Sequence, residues 1–175
     1  IIGASLASPS KLHFCVLGDL AFFYDMNALG NRHISKNIRI LVVNNGLGQE
    51  FRNPSFENSY SLGDDTNLYI AAEGHYGHKS KELIRNYVQS LGFEYLSATN
   101  KVDFIKQSVR FFKEDFFNKP IVFEVFTDSE QEAEALNMIC NIVVAPQDNP
   151  INKIKKGIKN SISEDKLQAL RTLLK

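Results

Sequence analysis

The stretch IRILVVNNGLGQEF, residues 38–51, starts as a nearly unbroken apolar, β-branched run and then turns abruptly into two amides and spaced glycines. An apolar run without polar alternation is the pattern of a strand covered on both faces, as in parallel sheets. The same kind of run recurs at LHFCVLG (12–18), FEYLSA (93–98) and PIVFEVFT (120–127). Helical patterns separate these runs: LAFFYDMNALGNR (20–32), HKSKELIRNYVQSLG (78–92, after a short LYIAA) and KVDFIKQSVRFFKEDF (101–116). Gly92 stands where a helix stops, and Asp128-Ser129 with Glu130 and Glu132 opens one more helix. This alternation predicts an α/β fold, a doubly wound, mostly parallel sheet with helices on both faces. The polar, Gly- and Asn-rich stretch 46–67 is too long for an ordinary strand-to-helix connection, which marks it as a functional loop.

The chain has 175 residues and 43% hydrophobic content, enough for one full core. We expect a single sheet domain over 1–145, with 146–175 as a helical tail of two surface helices. Its 20 basic and 20 acidic side chains cancel, leaving no electrostatic footprint for nucleic acid or an anionic membrane. No apolar run approaches the length of a membrane span. The two cysteines, Cys15 and Cys140, lie in apolar stretches and read as buried thiols, which suits a reducing, cytoplasmic setting. The opening IIGASLASPSK reads as part of an amphipathic helix stopped at Ser8-Pro9, and the expectation is a fragment of a larger chain.

In parallel sheets of this kind, ligands sit beyond the carboxyl ends of the strands. The first strand ends in Gly18-Asp19, directly before a helix. The glycine admits a ligand close to the backbone, and the amides of Leu20 and Ala21 at the helix start suit a phosphate. Asp19 and a phosphate repel each other unless a divalent cation lies between them. The second strand ends in Asn44-Asn45-Gly46-Leu47-Gly48. If the strands are neighbours, the Asn45 amide oxygen and the Leu47 carbonyl can join Asp19 around one cation, an all-oxygen shell that fits magnesium. Taken singly, Asp19 reads as a helix cap and Asn-Asn-Gly as a turn; the ordered combination is the more specific signal.

That combination resembles the diphosphate and metal motif of thiamine diphosphate enzymes, Gly-Asp-Gly, then about 25 to 30 residues, then Asn-Asn. GDLAFFYDMNAL followed by NNGLGQEF, and later PIVFEVFTDSEQEAEAL, resembles the C-terminal diphosphate-binding domain of the 2-succinyl-5-enolpyruvyl-6-hydroxy-3-cyclohexene-1-carboxylate synthases of menaquinone biosynthesis. In that family Gly-Asp-Leu is usual, so Leu20 agrees with it, and the likeness covers residues 1 to 140. The resemblance implies thiamine diphosphate and Mg2+ as cofactors, with Asp19, Asn45 and the carbonyl of Leu47 on the metal. It implies Gly18, Leu20, Ala21 and Gly48 along the diphosphate, and Gln49, Glu50 and Phe51 near the thiazolium and substrate. Glu50 departs from the family pattern, which is commonly aliphatic there, and a carboxylate at that point repels a carboxylate substrate unless protonated or paired. The implied reaction is decarboxylation of a 2-oxoacid, with carboligation to an acceptor. The implied partner is an N-terminal pyrimidine-binding domain carrying a catalytic glutamate, supplied by another subunit of a homodimer or larger assembly. No residue of this chain is assigned as catalytic, and the isolated chain is expected to bind the cofactor weakly and to turn nothing over.

Other features have plainer readings. His75 and His78 in EGHYGHKSK stand three apart, but without a third ligand they read as a polar loop entering a helix, with His75 as a candidate substrate contact. His13 and His33 read as structural or solvent-facing. The aromatics of RFFKEDFFNK suit a helix packed on the sheet better than base stacking, and NKIKKGIKN reads as a solvated basic face. Competing functions are another thiamine diphosphate 2-oxoacid decarboxylase of the phosphonopyruvate or acetolactate synthase kind, a noncatalytic magnesium-binding α/β module, and a degenerate domain kept for assembly.

Overall fold

A computed structural model describes residues 1–52, 63–69 and 80–142. Two compact units are distinguished, Ile1–Ala135 and Leu136–Lys175. Within the first, β1 (His13–Gly18), β2 (Ile38–Asn44), β3 (Glu94–Ala98) and β4 (Ile121–Phe126) form one sheet in the order β1-β2-β4-β3. Every neighbouring pair is parallel. The helices are α1 (Ile2–Ala7), α2 (Asp19–Asp25), α3 (Thr66–Tyr69), α4 (Leu83–Ser90), α5 (Lys101–Phe111) and α6 (Ser129–Ile142). The second unit contributes to the described residues only the end of α6, and the expected tail helices lie outside them. So do most of LYIAA and both His75 and His78.

Residue alternation along the central strands divides the core into two clusters. Ile38, Ile40 and Val42 of β2 and Val122 of β4 pack with Phe22 and Phe23 of α2 and with Ile84 and Val88 of α4. Leu41, Ile121 and Phe123 point the other way, to Phe111 and Phe104 of α5. The chain moves in one direction along the sheet from β1 to β2 to β3 and reverses from β3 to β4. Right-handed crossovers therefore require α2 and α4 on one face and α5 on the other, as found. Both central strands are thus buried from both sides, which is why their sequences carry no polar alternation.

Three boundaries follow from contacts that local sequence does not contain. The expected helix 20–32 is α-helical only to Asp25 and tightens into a 3-10 turn over Met26–Gly30. The hydroxyl of Tyr87, from α4, donates to the Met26 carbonyl at 2.8 Å, taking an acceptor where the regular helix stops. The helix expected over 101–116 ends at Phe111 because the fully buried Arg39 of β2 reaches its last turn. The guanidinium donates to the carbonyls of Phe111, of Lys113 at 3.0 Å and of Asp115 at 2.6 Å. It also lies 4.8 Å from the Phe117 ring centre. Burial lowers the Arg39 pKa, and nearby Arg110 adds to that. Consequently the RFFKEDFFNK aromatics split: Phe111 is core and Phe117 packs against it, whereas Phe112 and Phe116 are exposed. By contrast, α4 stops where expected. Gly92 at φ 89° lets its own N–H reach the Gln89 carbonyl and the Phe93 N–H reach that of Val88, both at 3.0 Å.

Cys15 is half-buried against the first cluster, and the Cys140 side chain lies outside the described residues. His13 ties the start of β1 to α1, its Nε2 lying 3.0 Å from the Ser8 carbonyl oxygen.

Arg39→Ala removes a charged donor from three carbonyls and leaves a cavity beneath α5. We expect a stability loss of about 3 kcal/mol or more in urea unfolding, with faster amide exchange over 111–117. Arg39→Met refills the volume and recovers only part of it. An unchanged unfolding midpoint for Arg39→Ala would show that Arg39 does not hold the end of α5.

Candidate functional site

The parallel register pairs Gly18 with Val43, so β1 and β2 end side by side and deliver Asp19 and Asn44-Asn45 to the same edge of the sheet. Gly18 is extended (φ −75°, ψ 164°), and a Cβ built on it would meet only the Val43 carbonyl oxygen, at 4.0 Å. Space therefore remains open against the backbone there. Asp19, the first residue of α2, is 1% exposed. Leu20 is half-buried and Ala21 exposed.

The two asparagines have separate partners, and in each case the partner is a carboxylate. Asn44 Nδ2 donates to Glu124 Oε1 at 2.6 Å, and its Oδ1 accepts from the Gly46 N–H at 3.2 Å. Asn45 Nδ2 donates to Glu132 Oε2 at 2.6 Å, and its Oδ1 accepts from the Leu47 N–H at 3.0 Å. A carboxylate can only accept, so both amide orientations are fixed by chemistry. The turn that follows needs Gly46, at φ 85°, a conformation L side chains rarely adopt.

Glu124 was part of an apolar strand in the sequence and nothing there singled it out. In the fold it is fully buried on the α2–α4 side of β4, and its second oxygen accepts from the Tyr95 hydroxyl at 2.7 Å. Burial raises its pKa, and the negative charge of Asp19 pushes the same way; the hydrogen bonds from Tyr95 and Asn44 partly oppose this. Burial and the same hydrogen bond raise the Tyr95 phenol well above its ordinary value. Glu124 and Asn44 line a cleft of about 320 Å³ at the carboxyl ends of β2 and β4, rimmed by Asn45, Gly46, Lys81 and Thr127. Glu132 was visible in the sequence only as an acidic residue in the first turn of a helix. Its partnership with Asn45 depends on β4 lying beside β2, which only the strand order reveals.

The remaining expected residues lie just beyond. Leu47 and Gly48 are buried. Gln49 begins a short 3-10 turn (Gln49–Arg52), and its Nε2 donates to the Ser129 carbonyl at 2.9 Å. Glu50 and Phe51 are exposed. Among the described residues no group of three His, Cys, Asp or Glu side chains is placed to hold a metal. A shell of one carboxylate, one amide and one carbonyl has a different composition, and the strands that end in Asp19 and in Asn44-Asn45 are neighbours at one edge of the sheet. The residues fit a cation and diphosphate. An open backbone cradle at Gly18 adjoins the buried carboxylate of Asp19, whose negative charge disfavours that of Glu124.

A parallel α/β domain with a carboxylate and an oriented amide at adjoining strand ends belongs to the class of folds that bind ligands at that edge. Comparison with known proteins narrows this. No protein-family model matches the chain. The chain is related over most of its length to 2-succinyl-5-enolpyruvyl-6-hydroxy-3-cyclohexene-1-carboxylate synthases. It is 35% identical over 131 residues to that of Bacteroides fragilis and 36% over 131 to that of Phocaeicola vulgatus, each match covering 74% of this chain and 22% of the relative. With the synthase of Christiangramia forsetii it shares 33% over 136 residues, 77% of this chain and 21% of the relative. The chain thus spans about a fifth of the length of the curated relatives it matches. No helix among the described residues is long and apolar enough to cross a membrane.

Because its folded pKa is raised, Glu124 favours the fold most below its unfolded pKa, and that contribution is lost as pH rises through the folded value. Glu124→Gln keeps an acceptor without the buried charge, so thermal unfolding at pH 7 should occur at or above the wild-type temperature, with weaker pH dependence from pH 4 to 8. Glu124→Ala strands the Asn44 amide and the Tyr95 hydroxyl, at a cost of about 1–3 kcal/mol for each donor left buried. A Gln variant less stable than wild type at pH 7 contradicts the assignment.

Proposed function

We propose that this chain is the diphosphate-binding domain of a thiamine diphosphate- and magnesium-dependent enzyme that decarboxylates a 2-oxoacid and joins the remainder to an acceptor. The observation that carries the reading is that adjacent parallel strands end in Gly18-Asp19 and Asn44-Asn45 at one edge of the sheet, with the backbone of Gly18 open at the start of helix α2. The relatedness to the synthases supports it. Asp19, the Asn45 amide oxygen and the Leu47 carbonyl hold the cation. Gly18, Leu20, Ala21 and Gly48 line the diphosphate, and Gln49, Glu50 and Phe51 lie toward the reactive ring. When bound, the cofactor supplies the electron sink for loss of carbon dioxide. The chain's own residues orient it and offset its charge.

The residue that activates the aminopyrimidine belongs, in this reading, to a pyrimidine-binding domain contributed by another subunit of a homodimer or larger assembly, in the cytoplasm. Glu50 is exposed, so solvent screens much of the repulsion that a carboxylate substrate would meet at that position.

Calorimetric titration of the full chain with thiamine diphosphate should give binding that requires magnesium. Asp19→Ala should weaken it at least tenfold, about 1.4 kcal/mol. Equal affinity with and without magnesium, or an unaffected Asp19→Ala, would exclude the reading.

A further inference from the structure

We propose that Glu132 is a positioning residue for the cation: its carboxylate holds the Asn45 amide in the single orientation that turns Oδ1 toward the metal. The inference rests on the proposed function and adds to it a residue outside the expected ligand set. Three observations carry it. Asn45 Nδ2 donates to Glu132 Oε2 at 2.6 Å, a short, charge-assisted bond. The second Glu132 oxygen is held in turn by the Thr127 hydroxyl, so the carboxylate is anchored from the strand side. On the far side of the amide, Oδ1 already accepts from the Leu47 N–H at 3.0 Å, which draws the Leu47 segment toward Asn45.

An asparagine amide is nearly symmetric in shape, and a flip about its last torsion exchanges an oxygen for an NH2 group. For a cation that exchange is the difference between a ligand and a repulsion. An ionised carboxylate has no proton to give, so it accepts Nδ2 and rejects Oδ1. Glu132 therefore selects the ligating rotamer before any metal arrives. The position of Glu132 in the first turn of α6 is fixed by the cap that starts that helix: Asp128 Oδ1 accepts from the N–H groups of Glu130 at 3.0 Å and Gln131 at 3.1 Å. Asn44 carries the same device. Its carboxylate, Glu124, is buried beneath the cleft, and its Oδ1, like that of Asn45, accepts one N–H of the turn, that of Gly46.

The test is binding of Mn2+, in the presence of thiamine diphosphate, by the full chain, followed through the electron paramagnetic resonance signal of free Mn2+, with thermal unfolding of each apo variant alongside. Glu132→Ala is expected to weaken Mn2+ affinity 10- to 100-fold, the usual effect of removing a partner that orients a metal ligand. Glu132→Gln, whose side-chain amide can accept from Nδ2 or donate to Oδ1, no longer enforces one orientation and is expected to lose affinity more than about threefold but less than Glu132→Ala does. Asn45→Ala is expected to lose affinity at least as severely as Glu132→Ala, and the double variant to be no weaker than Asn45→Ala alone, since Glu132 acts through Asn45. Glu132→Asp keeps the charge but withdraws it by one methylene; it carries the same expectation of loss and serves if Glu132→Ala does not fold. Undiminished Mn2+ affinity in Glu132→Ala, or losses that multiply in the double variant, overturns the role of Glu132 while leaving Asn45 a ligand. Undiminished affinity in Asn45→Ala overturns the metal reading itself, and the role of Glu132 with it.

Discussion

The parallel pairing of β2 with β4 is the constraint on which the rest depends. Its register sets Val42 against Glu124 and Asn44 against Phe126, and the ladder is carried one step further by the Thr127 N–H donating to the Asn44 carbonyl at 3.0 Å. A shift of one residue would turn Glu124 into the Phe111–Phe123 cluster, where no donor awaits it, and Phe123 toward the opposite face. A buried carboxylate without donors costs several kcal/mol, so the polar residue on β4 is itself a register pin. The same register brings Thr127 and the first turn of α6 level with Asn45. The carboxyl edge is thus assembled by a pairing between strands that are far apart in sequence.

What could be read in advance follows from the range of the forces involved. The strands were legible because burial on both faces leaves a continuous apolar run, and Gly92 and Asp128 were legible because helix ends are satisfied by local groups. The true ends of α2 and α5 were not, because the deciding donors come from elsewhere: Tyr87 for the Met26 carbonyl and Arg39 for the carbonyls after α5. An arginine inside IRILVVN gave no sign of its direction. Only the placement of α5 over β2 and β4 turns it into the group that ends that helix. The same distinction governs the site. Gly18-Asp19 and Asn44-Asn45 stood out as a pair of strand ends, whereas Glu124 and Glu132 read as an ordinary strand residue and a helix-start acid. Their partners are 80 and 87 residues away.

The use of amides rather than carboxylates at the end of β2 is then a matter of charge. The edge already holds Asp19 and Glu124, both buried, and Glu132 stands on the far side of Asn45. Two unit charges 4 Å apart interact by about 4 kcal/mol at an effective dielectric constant near 20. A carboxylate at position 45 would face Glu132 at hydrogen-bonding distance and, in the proposed complex, an anionic diphosphate as well. An amide avoids both repulsions. It gives Glu132 a donor and, in the proposed complex, would give the cation an oxygen, so that one neutral side chain would link a protein anion to a metal without adding charge. In that complex the carboxylate would supply direction and the amide contact, so neither residue would serve the cation as well without the other.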